Sequence, residues 1–378
     1  MARSSQTDRC PGALQVHLAA DGALARIRLP GGMLTAAQLA ELARLSAEYC
    51  SGTIELTGRA NLQLRSVRDV EAVGAALAEI GLLPSASHER VRNIVASPLS
   101  GRAGGRTDVR DWVTDLDSAL QADPELTGLG GRFWFSVDDG SGDVSGLGAD
   151  VGVQVFDSGP RLLLTGRDTG IGVRPEQVPA ELIALARRFV QIRGDAWRVA
   201  ELPDVHLLHP GVVLGPPMAT VLRPPVGWIN QDRPAGAVAL GAAVPLGVLP
   251  ARTAEFLAAI DKPLVITPWR SVLVCDLDDG VADVALRVLA PMGLVFDESS
   301  PWLSVSACTG SPGCAQSAGD VRRTATDMVH AAESAEPGSP TGAGHRHVVG
   351  CDRACGSPLG AQVLVTTAEG LRPRAPVG

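Results

Sequence analysis

The sequence predicts an α+β fold with an internal pseudo-two-fold repeat. Three observations carry that reading: one order of elements occurs twice, apolar residues recur at helical spacing inside each copy, and two close cysteine pairs stand outside both copies. The first copy opens with Ala25-Arg-Ile-Arg-Leu-Pro-Gly-Gly-Met-Leu-Thr35, a strand running into a glycine turn. A helix is expected over 36–45, a pair of strands across 52–64, and a second helix over 69–80. The second copy repeats the order: a strand and turn over 237–249, a helix over 251–260, strands across 263–274, and a helix over 282–290 leading into Met292. Each copy carries an arginine at its strand–strand junction, Arg59 and Arg270, which the repeat pairs as equivalents.

A segment of different character follows each copy. Residues 131–137, 152–156 and 161–165 read as strands, and 175–192 as a helix with proline in its first turn. The stretch 210–234, rich in proline and glycine, reads as the seam between halves, and 333–344 as a surface loop. The expected boundaries are a first repeat over 1–88, a ligand segment over 89–205, a second repeat over 206–298, and a cysteine segment over 299–378.

Composition narrows the function. The chain has 378 residues, 45% hydrophobic and 20% charged, an ordinary globular balance. A net charge of −8 argues against nucleic acid or an anionic membrane as partner. Lys262 is the single lysine among 33 cations. The remaining cations are arginines, whose planar forks suit carboxylates, although a GC-rich coding sequence accounts for most of that bias. No apolar run stands behind a basic start in residues 1–32, so no secretory leader is expected. The weakly polar stretch 235–250 is too short and too rich in glycine and proline to span a bilayer. Seven cysteines, an odd number with four late in the chain, suit a reducing cytoplasm and a metal site better than a disulfide framework.

Those four are Cys308-Thr-Gly-Ser-Pro-Gly-Cys314 and Cys351-Asp-Arg-Ala-Cys355. A 4Fe–4S cube needs four converging thiolates, and two short pairs brought together by folding supply them. Structural zinc favours tighter knuckles and fits less well.

The cysteine spacing, His347-Val-Val-Gly-Cys351, Arg28-Leu-Pro-Gly-Gly32, Leu56-Thr-Gly-Arg-Ala-Asn-Leu-Gln63 and Val91-Arg-Asn-Ile-Val-Ala-Ser-Pro-Leu-Ser-Gly101 together resemble the sulfite/nitrite reductase superfamily, from about residue 25 to 358. The resemblance implies ferredoxin-like half-domains plus two α/β domains, one for ligand and one for the cluster. It also implies a tetrapyrrole beside the cluster, with Cys355 in the place of the bridging cysteine and Arg59 and Arg92 facing the macrocycle or its anion. The family's Leu-Pro-x-Lys-Phe-Lys stretch matches Leu129-Gly-Gly-Arg-Phe-Trp134, so Arg132 and Trp134 stand where the family has lysines.

That departure removes a cation where sulfite or nitrite reduction wants one. The chain is more similar to a shorter branch of the superfamily, the precorrin-3B synthases. This implies an oxygen-dependent monooxygenase that converts precorrin-3A to precorrin-3B by meso hydroxylation and γ-lactone closure. The implied partners are a polycarboxylate tetrapyrrole substrate held by Arg59, Arg92, Arg132, Trp134 and Arg270, molecular oxygen, and an electron donor, NADH-linked or ferredoxin-like. A sirohaem-dependent sulfite or nitrite reductase is the alternative, with sirohaem as cofactor. His345 and His347 are candidates for a second metal, a mononuclear non-haem iron, although two histidines without a carboxylate make an incomplete triad. The competing reading is that His347 hydrogen-bonds a carbonyl of the cysteine loop.

Overall fold

The computed structural model describes residues 8, 10–334 and 344–374; most of the expected loop 333–344 lies outside them. The expected α+β fold with its pseudo-two-fold repeat is present. The first repeat comprises β1 (His17–Ala19), β2 (Gly22–Ile27), β3 (Met33–Leu34), α1 (Ala36–Tyr49), β4 (Thr53–Leu56), β5 (Leu62–Val67) and α2 (Val70–Glu79). Thr35 and Gln38 form a reciprocal capping box that fixes where α1 starts. A ligand domain follows, with β6 (Ile94–Ala96), α3 (Arg110–Ala122), β7 (Phe135–Asp138), β8 (Val151–Phe156), β9 (Gly159–Leu164), β10 (Arg167–Gly172) and α4 (Val178–Ile192). The second repeat holds β11 (Gly227–Asn230), β12 (Val238–Ala243), β13 (Val248–Pro250), α5 (Ala251–Ala258), β14 (Leu264–Ile266), β15 (Ser271–Leu277) and α6 (Asp279–Leu289). The cysteine domain has β16 (Val305–Ala307), α7 (Val321–Glu333), β17 (Arg346–Val349), β18 (Gln362–Thr367) and β19 (Gly370–Pro373). Among the described residues no helix is long and apolar enough to cross a membrane.

The two repeats exchange a strand, which the sequence did not announce. Their sheets run β1-β2-β5-β4-β13 and β11-β12-β15-β14-β3, so β3 completes the sheet of the second repeat and β13 that of the first. The crossing points explain two glycines. A Cβ on Gly32 would lie 2.0 Å from the Ile266 carbonyl oxygen, and one on Gly247 would lie 3.0 Å from that of Leu56. Both also have positive φ, 70° and 69°. Helices α1 and α5 pack together, and Leu39, Leu42, Leu64, Leu257 and Val274 belong to one core shared by both halves. Neither repeat therefore closes its sheet or its core alone.

The ligand and cysteine domains share a plan as well. Strands β6, β7 and β8 are parallel with β9 antiparallel, as are β16, β17 and β18 with β19. The ligand-domain core extends through Leu208 and Val212, past the expected boundary at 205. Two helices were not expected, α3 and α7. Each buries only three side chains on a polar sequence, Val113, Leu116 and Leu120 in one and Val321, Ala325 and Val329 in the other.

Candidate metal centre and adjoining cleft

Parallel neighbours β16 and β17 end at the same edge of their sheet, so the loops leaving them emerge side by side. Cys308 begins one loop and Cys351 the other. The Cys308 N–H donates to the Val348 carbonyl at 3.0 Å, and the Ala318 N–H to that of Gly350 at 3.1 Å, stitching the loops together. All four cysteines are free thiols, and they lie close enough to feel one another's charge. Burial pushes the Cys308 thiol up, opposed by the N–H groups of Gly350 and Gly310. Burial also raises Cys355, reinforced by Cys308, Cys351 and Cys314. Four crowded sulfurs need positive charge between them. Among the described residues no three His, Cys, Asp or Glu side chains converge tightly enough for a single ion. The four thiols of the two loops are the donor type that an iron–sulfur cluster takes.

His347 is fully buried behind this centre. Its Nε2 lies 3.0 Å from the Cys355 carbonyl and its Nδ1 2.8 Å from Ser306 Oγ, which in turn lies 2.7 Å from His345 Nε2. A carbonyl only accepts, so Nε2 of His347 carries the proton, and its Nδ1 shares the Ser306 hydroxyl with His345 Nε2. Burial, then the nearby Arg270 charge, pull His347 down to about 3, so the ring is neutral. His345 also bonds a backbone group of Leu303. Both ring nitrogens of His347 are engaged, by Ser306 and by the Cys355 carbonyl. The hydrogen-bonding alternative describes His347.

The predicted cleft arginines separate into different environments. The first-repeat hairpin carries Arg59, whose guanidinium stands over the Trp134 ring, 5.6 Å from its centroid. Among the described residues its guanidinium makes a single long polar contact, 3.4 Å to the Gly131 carbonyl. Burial, and then repulsion from Arg198, bring its pKa down to about 10. Trp134 is 4% exposed and clusters with Val95, Val144, Ala149 and Trp269. Asp117 of α3 grips Arg92 through two bonds of 2.7 Å. Arg132 is exposed and lies over Trp197, 5.8 Å from the ring centroid. Arg270 donates to the Gly356 carbonyl at 2.8 Å and so braces the second cysteine loop.

The supposed equivalence of Arg59 and Arg270 is off by one residue. In the first hairpin Thr57 N–H donates to Asn61 and Ala60 N–H to Thr57; in the second, Thr267 donates to Ser271 and Arg270 to Thr267. Ala60 and Arg270 share a positive φ, 55° and 58°. The partner of Arg59 is therefore Trp269, and both turns converge on Trp134.

Sequence reasoning also passed over Arg26 and Arg28. Along β2 and just past its end they alternate with Ala25, Ile27 and Leu29, which belong to the core, so both arginines point to the other face. The asparagines of the two quoted motifs join beside them: Asn61 Nδ2 donates to Asn93 Oδ1 at 3.2 Å, and Asn93 bonds the carbonyls of Arg90, Gly131 and Phe133. This lock ties the first repeat to the ligand domain next to Arg59.

Residues 17–80 match the model of the nitrite/sulfite reductase ferredoxin-like half domain. A precorrin-3B synthase from a Sinorhizobium species is 25% identical, across 97% of this chain and 82% of that protein. A ferredoxin–nitrite reductase from Synechococcus elongatus is also 25% identical, across 90% and 75%. The solved structure of the Mycobacterium tuberculosis NirA protein superposes with a TM-score of 0.74 at 20% identity, covering 88% of this chain and 69% of that one. The half-domain match and the relatives aligned over most of the chain agree: the first repeat is a nitrite/sulfite reductase ferredoxin-like half domain, and the chain is similar to oxidoreductases, a precorrin-3B synthase and a nitrite reductase among them.

Proposed function

We propose that the chain is an oxygen-dependent monooxygenase converting precorrin-3A to precorrin-3B, with a 4Fe–4S cluster on Cys308, Cys314, Cys351 and Cys355. The observation that carries this reading is Trp134. It is a buried aromatic beneath Arg59, at the position where the reductase motif has a lysine. Reduction of a small iron-bound anion calls for cations and proton donors, whereas an indole offers an apolar face and one N–H. The relative named as a precorrin-3B synthase supports the reading by aligning with nearly the whole chain.

In this mechanism Arg59, with one long polar contact, binds a peripheral carboxylate of the tetrapyrrole through its fork. Trp269, half-buried against the buried Trp134, gives the macrocycle an apolar wall. Oxygen places one atom on the meso carbon as hydroxyl and releases the other as water, consuming two electrons and two protons from the donor. A ring acetate oxygen then adds across an adjoining double bond of the macrocycle to close the γ-lactone, the π bond breaking and the acid proton passing to the bond's other end. When bound, the cluster supplies electrons one at a time. His347 and Arg270 hold the Cys355 and Gly356 carbonyls, fixing the loop that carries Cys355.

The test is the visible spectrum of anaerobically purified protein, together with acid extraction of pigment. An iron–sulfur shoulder without a Soret band is the expected result, with the tetrapyrrole arriving as substrate. Extractable sirohaem would establish the reductase alternative instead.

A further inference from the structure

A row of polar side chains crosses the first-repeat sheet on the face away from its core. In register, Arg26 of β2 opposes Gln63 of β5, which opposes Glu55 of β4. Arg26 Nη2 donates to Gln63 Oε1 at 2.9 Å, and Gln63 Nε2 donates to Glu55 Oε2. The other carboxylate oxygen, Oε1, accepts from Arg322 at the start of α7, in the cysteine domain. Arg65 lies 4.0 Å from Glu55, pairs with Asp21 through two bonds of 2.7 Å, and donates to the Gly313 carbonyl at 2.8 Å. Glu55 is 4% exposed and Arg65 6%.

Gly313 precedes Cys314, and Arg65 is close enough to Cys314 to feel its charge. Arg270, which holds the Gly356 carbonyl after Cys355, also feels Glu55. Arg26, Arg65, Arg270 and Arg322 thus face two carboxylates, Glu55 and Asp21. The excess of positive charge looks toward four thiols that ionise when they bind metal. Removing Glu55 would leave these guanidiniums buried with less compensation, which a merely packed surface would not register.

We propose that Glu55 is a positioning residue for the cluster. It fixes α7 and the Cys308–Cys314 loop against the first repeat, and its negative charge holds the cluster's reduction potential down. The inference rests on the cluster reading and is independent of which tetrapyrrole the cleft receives.

The experiment compares cluster-loaded wild-type protein with Glu55→Gln, Arg322→Gln and the double variant, by iron and sulfide content and by redox titration of the cluster's electron paramagnetic resonance signal. Glu55→Gln removes a negative charge and moves the midpoint positive. Arg322→Gln removes a positive charge and moves it negative. The double variant returns toward wild type. Opposite signs are the signature of charge, since loosening the loop admits water around the cluster in either single variant and moves both midpoints the same way. Arg322 is the more exposed partner, so its variant reports even where Glu55→Gln fails to fold. Shifts of the same sign, or unchanged midpoints with full cluster content, overturn the inference and leave the cluster reading intact. Wild-type protein that takes up no iron overturns both.

Discussion

Arg28 is an ion buried without a carboxylate beside it, and replacing it should make the protein more stable. Its side chain is 2% exposed. Nη2 donates to the carbonyls of Pro11 and Arg90 at 3.1 and 3.2 Å, whereas Nε and Nη1 find no partner among the described residues. Burial, then the Arg26 charge, lower its pKa well below the ordinary arginine value; Arg59 adds to this, while Cys10 and Glu89 oppose it. The desolvation of one such ion costs several kcal/mol, taken as about 5. Two hydrogen bonds from a charged donor offset about 3 kcal/mol of this. Arg28→Met removes both terms and fills much of the same volume, so the expected gain is about 2 kcal/mol. That corresponds to a rise in Tm of about 2–3 °C, measured by thermal unfolding of the cluster-free protein. Arg28→Lys keeps the charge, loses the fork and should gain nothing. An Arg28→Met protein that is less stable than wild type would refute the reasoning, because it would mean that Nε and Nη1 are satisfied by internal water or an anion.

Three further outcomes follow from the same geometry. Cys355→Ser should abolish cluster content and activity together; an active variant with full iron and sulfide would remove Cys355 from the ligand set. Asp143 is raised to about 7 by burial and then by the Asp138 charge, so the folded protein holds a proton there that the unfolded chain releases near pH 4. Stability therefore falls as pH rises from about 4 to 7, by up to roughly 4 kcal/mol, and the advantage of Asp143→Asn in denaturant titrations should be larger at pH 8 than at pH 5. Trp269→Phe keeps the ring but loses the 2.8 Å bond from Nε1 to the Val221 carbonyl. The segment around Val221 should then be cleaved about tenfold faster in native-state proteolysis, and an unchanged rate would show that this bond does not hold the seam.

Periodicity and turn chemistry made the repeat legible. Leu39, Leu42 and Leu45 mark the buried face of α1, and Pro30-Gly31-Gly32 marks the turn before β3. The strand exchange was not legible, because β3 and β13 span only two and three residues and their neighbours are set by the other half of the chain. The cysteine loops could be read because thiol spacing survives in one dimension. Glu55, Gln63 and Arg26 could not, since their link is cross-strand register, which depends on pairing that spacing alone does not give.

The one-residue error at Arg270 has the same origin, and it changes the chemistry assigned to the second hairpin. Counting arginines made the two hairpins look chemically alike, each offering a cation to the cleft. Backbone register instead aligns Arg270 with Ala60, at the left-handed corner of the turn, and aligns Trp269 with Arg59. One hairpin therefore brings a cation to Trp134 and the other brings an indole, while Arg270 turns to the Gly356 carbonyl. An anion-reducing site built on two equivalent hairpins would carry the same charge on both. Here one hairpin turn carries the charge and the other an indole, both packed against the buried Trp134. The pseudo-symmetry of the backbone is thus broken in the side chains at the place where the two halves meet the ligand domain.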